Sequence, residues 1–125
     1  MRLLLDTHAL LWWLADSAEL TADAREQIAD GANEVVVSAA SAWEMAIKQA
    51  TGKLRVPDDL ASTVEASFLV QLPITFEHSF RAGSLPPHHR DPFDRMLVAQ
   101  ALVEGLTIVT RDPRFEPYGV QLLAA

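Results

Sequence analysis

The chain has no cysteine among its 125 residues, which excludes a disulfide framework, a thiol nucleophile and any cysteine-ligated zinc or iron–sulfur centre. It also lacks a long hydrophobic run. Asp6, Thr7 and His8 break the N-terminal stretch into Leu3–Leu5 and Ala9–Ala15, both far short of the ~18 residues a membrane helix needs. A lone Arg2 followed by an early aspartate does not make a secretory signal, so a cytoplasmic protein without membrane attachment is expected. No glycine-rich nucleotide-binding fingerprint occurs. Positive charge is scarce, with 10 Lys and Arg against 17 Asp and Glu and a formal net charge of −7. On charge alone, a nucleic-acid binder with a basic face is not expected. Half the residues are hydrophobic, the balance of a globular chain, and at this length roughly two thirds of the unfolded surface can be buried. One domain spanning 1–125 is expected.

Short apolar runs alternate with helical windows. Arg2–Asp6, Glu34–Ser38, Leu69–Ile74, Leu106–Thr110 and Gly119–Leu123 read as strands, and their continuous Val/Leu/Ile character suits a sheet covered on both faces. Between them, Ser38 or Ser41 can cap a helix running to Gly52, Thr75 one ending near Gly83, and Asp91-Pro92 one running to Gly105. Thr21–Ala32 and Asp58–Phe68 are further helical windows. This alternation predicts an α/β fold with a mostly parallel central sheet of about five strands flanked by helices. The segment Ala9–Ala15 is apolar on every side. Either it lies in a crowded core, or Trp12 and Trp13 belong to a protein–protein interface.

The acids fall in telling places. Asp6 ends the first strand, Asp112 follows the fourth by way of Thr110-Arg111, Glu44 lies on the helix after the second strand, and Asp94 is in the first turn of the helix entering the fourth. In an open parallel sheet the ligand site lies beyond the carboxyl ends of the strands. A helix entering strand four presents its C-terminus to the strand's start, so its N-terminus, with Asp94, returns to that same edge. Four carboxylates gathered there cannot all stay ionised without cations, and all-oxygen ligation selects Mg²⁺ or Mn²⁺. Each acid taken singly has a plainer role: Asp6 as a strand terminator, Glu44 in an i,i+4 ion pair with Lys48, Asp91 and Asp94 at a helix N-terminus, Asp112-Pro113 in a turn. Their convergence is what points to a metal site.

Together, Leu3-Leu-Leu-Asp6-Thr7, Ser41-Ala-Trp-Glu44, Asp91-Pro-Phe-Asp94-Arg95-Met-Leu and Thr110-Arg-Asp112 closely resemble the PIN domain, in particular the small bacterial VapC-type ribonuclease toxins. The likeness covers essentially the whole chain and implies a PIN-like fold. It matches Asp6, Glu44, Asp94 and Asp112 to the family's acidic metal site. Asp91 matches an extra acid of this branch, serving as cap, outer partner or ligand. Thr7 and Thr110 match small hydroxyl residues beside the site. It further implies Mg²⁺- or Mn²⁺-dependent RNA cleavage, a homodimer, and neutralisation by a cognate antitoxin.

Phosphodiester hydrolysis needs an activated water in line with the leaving oxygen, and bound divalent ions supply both that activation and charge stabilisation on the phosphoryl group. No histidine base is then required, and His8 is expected to be packed or hydrogen-bonded. For holding RNA, the cations near the acids are Lys48, Lys53, Arg55, His88, His89, Arg90, Arg95, Arg111 and Arg114, with Lys48, Arg90, Arg95 and Arg111 the foremost phosphate contacts; ion pairing with neighbouring acids is the competing role. Pro86-Pro-His-His-Arg90 reads as a stiff exposed loop at the mouth of the site.

Two rival phosphoryl-transfer readings with Asp6 as nucleophile fit poorly. A haloacid-dehalogenase-type site wants a second aspartate where His8 stands, and a receiver-type domain needs a lysine after a late strand, whereas the last lysine is Lys53. A non-catalytic PIN-like binding or regulatory subunit is the remaining alternative. The net charge is compatible with a nuclease: five acids belong to the expected site, and Asp16, Glu19, Asp23, Glu26, Asp30 and Glu34 form one solvated acidic region with Arg25 the only basic residue among them.

Overall fold

A computed structural model describes residues 1–125. Five strands, β1 (Arg2–Leu5), β2 (Glu34–Ser38), β3 (Val70–Leu72), β4 (Thr107–Thr110) and β5 (Leu122–Ala124), form one sheet in the order β3-β2-β1-β4-β5. Every pairing is parallel. The chain builds outward from β1 through β2 to β3, then returns across the sheet to place β4 on the other side of β1. The strand order therefore reverses between β1 and β4, where Leu5 lies in register with Val109. A crevice at the carboxyl ends of the strands opens at such a reversal.

Side chains alternate across the sheet as the two-residue strand period requires. Leu3, Leu5, Val35, Val37 and Val109 face one layer, packed with Ala9 and Leu10 of α1 (Thr7–Leu14), Ala24 and Ile28 of α2 (Ala22–Ala29), Met45 of α3 (Ala39–Ala50) and Val64 of α4 (Leu60–Ala66). Leu4, Val36 and Ile108 face the other, packed with Leu97, Val98 and Ala101 of α6 (Pro92–Glu104) and with Phe115. Helix α5 (Phe76–Ser84) lies against α6. No helix is long and apolar enough to cross a membrane.

The parallel five-stranded α/β architecture agrees with expectation, and element boundaries differ for identifiable reasons. Helix α1 starts at Thr7 because Asp6 itself is its N-cap, accepting from the Ala9 backbone N–H at 2.8 Å. Strand β3 stops at Leu72 because Pro73 has no N–H to offer the ladder. Asp112-Pro113 opens a 3-10 helix (Pro113–Tyr118) instead of a simple turn, and Gly119, at φ +72°, ends that helix in the left-handed region, so β5 begins only at Leu122. Gly105 closes α6 with φ +70° and has open space where a Cβ would stand. Gly105→Ala is therefore expected to cost about 1 kcal/mol through backbone conformation alone, read as a lower urea midpoint at unchanged slope.

Candidate metal centre

Three of the expected acids are helix N-caps, and the helices they cap converge on the β1/β4 crevice. Asp6 caps α1, Asp91 caps α6 by accepting from the Phe93 and Asp94 backbone N–H groups, and Asp112 caps the 3-10 helix by accepting from Arg114 N–H. The caps aim the positive ends of the helix dipoles at this rim, which favours gathered negative charge there.

Two hydroxyls fix the deepest carboxylates. Thr110 Oγ1 donates to Asp6 Oδ2 at 2.6 Å, joining residues on β4 and at the end of β1, and Thr7 Oγ1 donates to Glu44 Oε1 at 2.6 Å. Both acids and both threonines are buried. Lys48 Nζ, a turn along α3, lies 2.7 Å from Glu44 Oε2, so the helical ion pair expected as a plainer role is present as well; its hydrogen bond to Glu44 raises the Lys48 pKa. Arg114 binds both oxygens of Asp112 and holds that carboxyl below the usual range.

The remaining charge is poorly compensated. Burial, followed by repulsion from Asp91, Glu44, Asp6 and Asp112, pushes the Asp94 pKa up to about 7. Burial also raises the Asp6 pKa, against the lowering effect of the Thr110 and Ala9 hydrogen bonds. A carboxyl this far from its ordinary value, set among four others, marks negative charge that the protein's own cations leave under-compensated.

His89 lies beside the Asp91–Asp94 acids as the sequence suggests, but it departs from the expected exposed loop: only its neighbours Pro86–His88 and Arg90 are exposed. The His89 side chain is 2% exposed, edge-on to Phe115, with Nε2 2.9 Å from Asp94 Oδ2 and 3.6 Å from Asp112 Oδ2. The signal was its position two residues before the Asp91 cap, which lets Nδ1 accept from Asp91 N–H at 3.2 Å.

A model of the PIN domain matches residues 3–120. The chain belongs to the PIN-domain family. A PIN-domain relative, Ribonuclease VapC22 of Mycobacterium tuberculosis, is 30% identical over 118 residues, covering 92% of this chain and 90% of that protein. Among solved structures, the PIN fold is shared with VapBC2 from Rickettsia felis bound to a promoter DNA fragment (17% identity, TM-score 0.72, 98% of each chain) and with DNA-bound VapBC from Salmonella typhimurium (18%, 0.72, 98% and 97%). At these identities the structural likeness concerns the fold.

Around this PIN site, the cations divide into two groups. Lys48 and Arg114 stand beside the acids, and Arg90 is exposed on the adjoining loop, as are Lys53 and Arg55 after α3. Arg95 and Arg111, expected as phosphate contacts, are engaged within the protein. Arg95 donates to the carbonyls of Ala82, Leu85 and Pro86 at 2.9–3.0 Å, tying the end of α5 to the loop. Arg111 binds the Glu19 side chain and the Glu19 and Ala125 carbonyls, and covers the Trp12 ring at 4.3 Å. Arg95→Met is expected to lower unfolding free energy by about 2 kcal/mol, since charge-assisted bonds to carbonyls at a helix C-terminus are lost. A loss below 0.5 kcal/mol in urea unfolding, roughly the scatter for surface changes, would show that the bonds do not hold in solution.

Trp12 and Trp13, for which a crowded core and an interface are the two expectations, are partly buried and pack against the α1 layer of the core. The exposed large apolar side chains lie elsewhere: Trp43 (61%) and Ile47 on α3, Phe76 (86%) and Phe80 (80%) on α5, and Phe68. A helix that is apolar all round does not reveal which face is already covered, and Arg111 covers this one. His8, expected to be packed or hydrogen-bonded, is exposed beside Trp12.

Proposed function

We propose that this PIN-domain protein is a divalent-metal-dependent endoribonuclease, the toxin of a toxin–antitoxin pair. The observation that carries the reading is the clustered, under-compensated set of carboxylates at the β1/β4 reversal, with Asp94 raised to about 7. The donor set fits a hard cation. It is all carboxylate oxygen, and Asp94 Oδ1 has no hydrogen-bond donor from the protein. One buried polar oxygen at this rim, Ser41 Oγ one turn before Glu44, has no hydrogen-bond partner in the protein. Asp6, Glu44, Asp94 and Asp112 would hold Mg²⁺ or Mn²⁺, with Asp91 as a cap that can also serve as an outer ligand.

When bound, the ion lowers the pKa of its water and polarises the scissile phosphate. The chain's own residues do the rest. Thr110 and Thr7 orient Asp6 and Glu44, the helix N-termini stabilise the gathered negative charge, and Lys48, Arg90 and Arg114 present cations where RNA phosphates approach the rim. Arg114 must release or share Asp112, which its exposed position allows.

The relative named Ribonuclease VapC22 and the VapBC complexes support RNA as substrate and a protein antitoxin as partner. On this reading the protein acts in the cytoplasm and forms a homodimer, with Trp43, Phe76 and Phe80 as apolar surface available to partners. The deciding experiment incubates purified protein with mixed RNA in Mn²⁺, in Mg²⁺ and in chelator. Cleavage that appears only with the ions is the expected result. RNA left intact under all three conditions overturns the reading and favours a binding subunit.

A further inference from the structure

We infer that His89 is a positioning residue that clamps Asp94 to Asp112 through its Nε2–H, and that it is not itself a metal ligand. The inference rests on the metal-nuclease reading above and concerns how its acid cluster is held. His89, Asp94 and Asp112 offer atoms all within 4.8 Å of one another, a trio that by distance alone passes for a cation site.

The tautomer decides otherwise. Nδ1 accepts the Asp91 backbone N–H at 3.2 Å, so Nδ1 carries the lone pair and the ring proton lies on Nε2. An Nε2–H cannot ligate a cation, but it can donate to carboxylate. It stands 2.9 Å from Asp94 Oδ2 on α6 and 3.6 Å from Asp112 Oδ2 at the 3-10 helix, and it is aligned on neither.

The ring itself is firmly held. His89 N–H donates to the Tyr118 hydroxyl at 2.9 Å, that hydroxyl donates to Pro86 O at 2.8 Å, and Phe115 packs edge-on against the imidazole. A buried donor left out of line between two acids is costly unless those acids are drawn into line with it. Charge neutralised at the crevice would let Asp94 and Asp112 approach each other, and Nε2–H is the group placed to fix their separation. Because the two acids come from different elements, no backbone hydrogen bond performs this task.

The test uses the full-length protein. With ¹⁵N-labelled histidine, NMR of the metal-free protein should show His89 protonated at Nε2 and bare at Nδ1, and the pattern should persist on adding Mg²⁺. Loss of the Nε2 proton on adding Mg²⁺, or protonation at Nδ1 without it, overturns the clamp. In calorimetric titration with Mn²⁺, His89→Leu should weaken binding by about 10- to 100-fold, the usual effect of losing an outer partner. His89→Gln, which keeps an N–H donor at similar reach, should recover most of that loss. Parent and variants binding Mn²⁺ equally well overturns the clamp alone. A parent that binds no Mn²⁺ overturns the nuclease reading and the clamp together. Melting curves without metal identify a variant that has failed to fold, and the parent NMR still decides the tautomer in that case.

Discussion

Asp6→Asn is expected to reduce metal-dependent RNA cleavage by about 10³-fold or more while leaving the fold intact. The loss follows from removing a central anionic ligand, because metal-based charge stabilisation of the transition state amounts to several kcal/mol and each tenfold in rate corresponds to about 1.4. The fold survives because asparagine keeps what the structure asks of the side chain. Its carbonyl oxygen can still accept from Ala9 N–H and cap α1, and the Thr110 hydroxyl can turn to accept from the new amide. Losing a buried charge from the acid cluster should hold or raise stability. Asp6→Ala separates the two roles: it gives the same catalytic loss plus about 1 kcal/mol of destabilisation from the missing cap. Cleavage by Asp6→Asn within tenfold of the parent would remove Asp6 from the metal site.

The second large effect is on stability against pH. In the metal-free folded protein burial and the neighbouring acids push the Asp94 carboxyl up to about 7, against 3.8 for an ordinary aspartate. At pH 5 the unfolded chain has released this proton while the folded chain retains it. Stability from this group is therefore present at low pH and falls as pH rises through 7. Between pH 5 and 8 the difference is at most about 2.7 kcal/mol, two units at 1.36 kcal/mol per unit, equivalent to a melting temperature on the order of 10 °C higher at pH 5 than at pH 8. The raised Asp6 pKa acts in the same direction. Asp112, whose pKa is lowered, opposes it only at more acid pH, as it protonates. Asp94→Asn should remove most of the slope, and Mg²⁺ should raise the melting temperature more at pH 8 than at pH 5, since ion and proton compete for the same carboxylate. A melting temperature that does not change between pH 5 and 8 in the metal-free protein would contradict the assigned electrostatics.

Much of the architecture was legible because apolar runs and capping residues are local signals. Leu3–Leu5, Val35–Val37 and the Asp91-Pro92 start of α6 each carry their own structure, and the positions of Asp6 and Asp112 at strand ends follow directly. What escaped depends on long-range contacts. The burial of His89 is set by Tyr118 and Phe115, residues far along the chain, so a Pro-Pro-His-His run gave no sign of it. Arg95 and Arg111 looked like phosphate contacts because sequence shows charge but not the carbonyls that fold back onto it. The partial covering of the paired tryptophans escapes for the same reason, since packing of Arg111 over Trp12 is a tertiary event. Where one side chain serves two purposes, as Asp6 does in following β1 and capping α1, the strand is evident in the sequence and the helix start at Thr7 is not.

The hydroxyl of Thr110 reaches a carboxylate 104 residues earlier in the chain. During synthesis, β1, β2 and β3 leave the ribosome well before β4, so Leu3–Leu5 must wait with one side unpaired until Thr107–Thr110 arrives. Neither Asp112 nor the orientation of Asp6 exists before then. Sheets closed by such distant pairings form late and slowly compared with local structure. A site assembled in this order is incomplete in the nascent chain and in any fragment truncated before β4, and its acids come together only when the central strand gains its second neighbour.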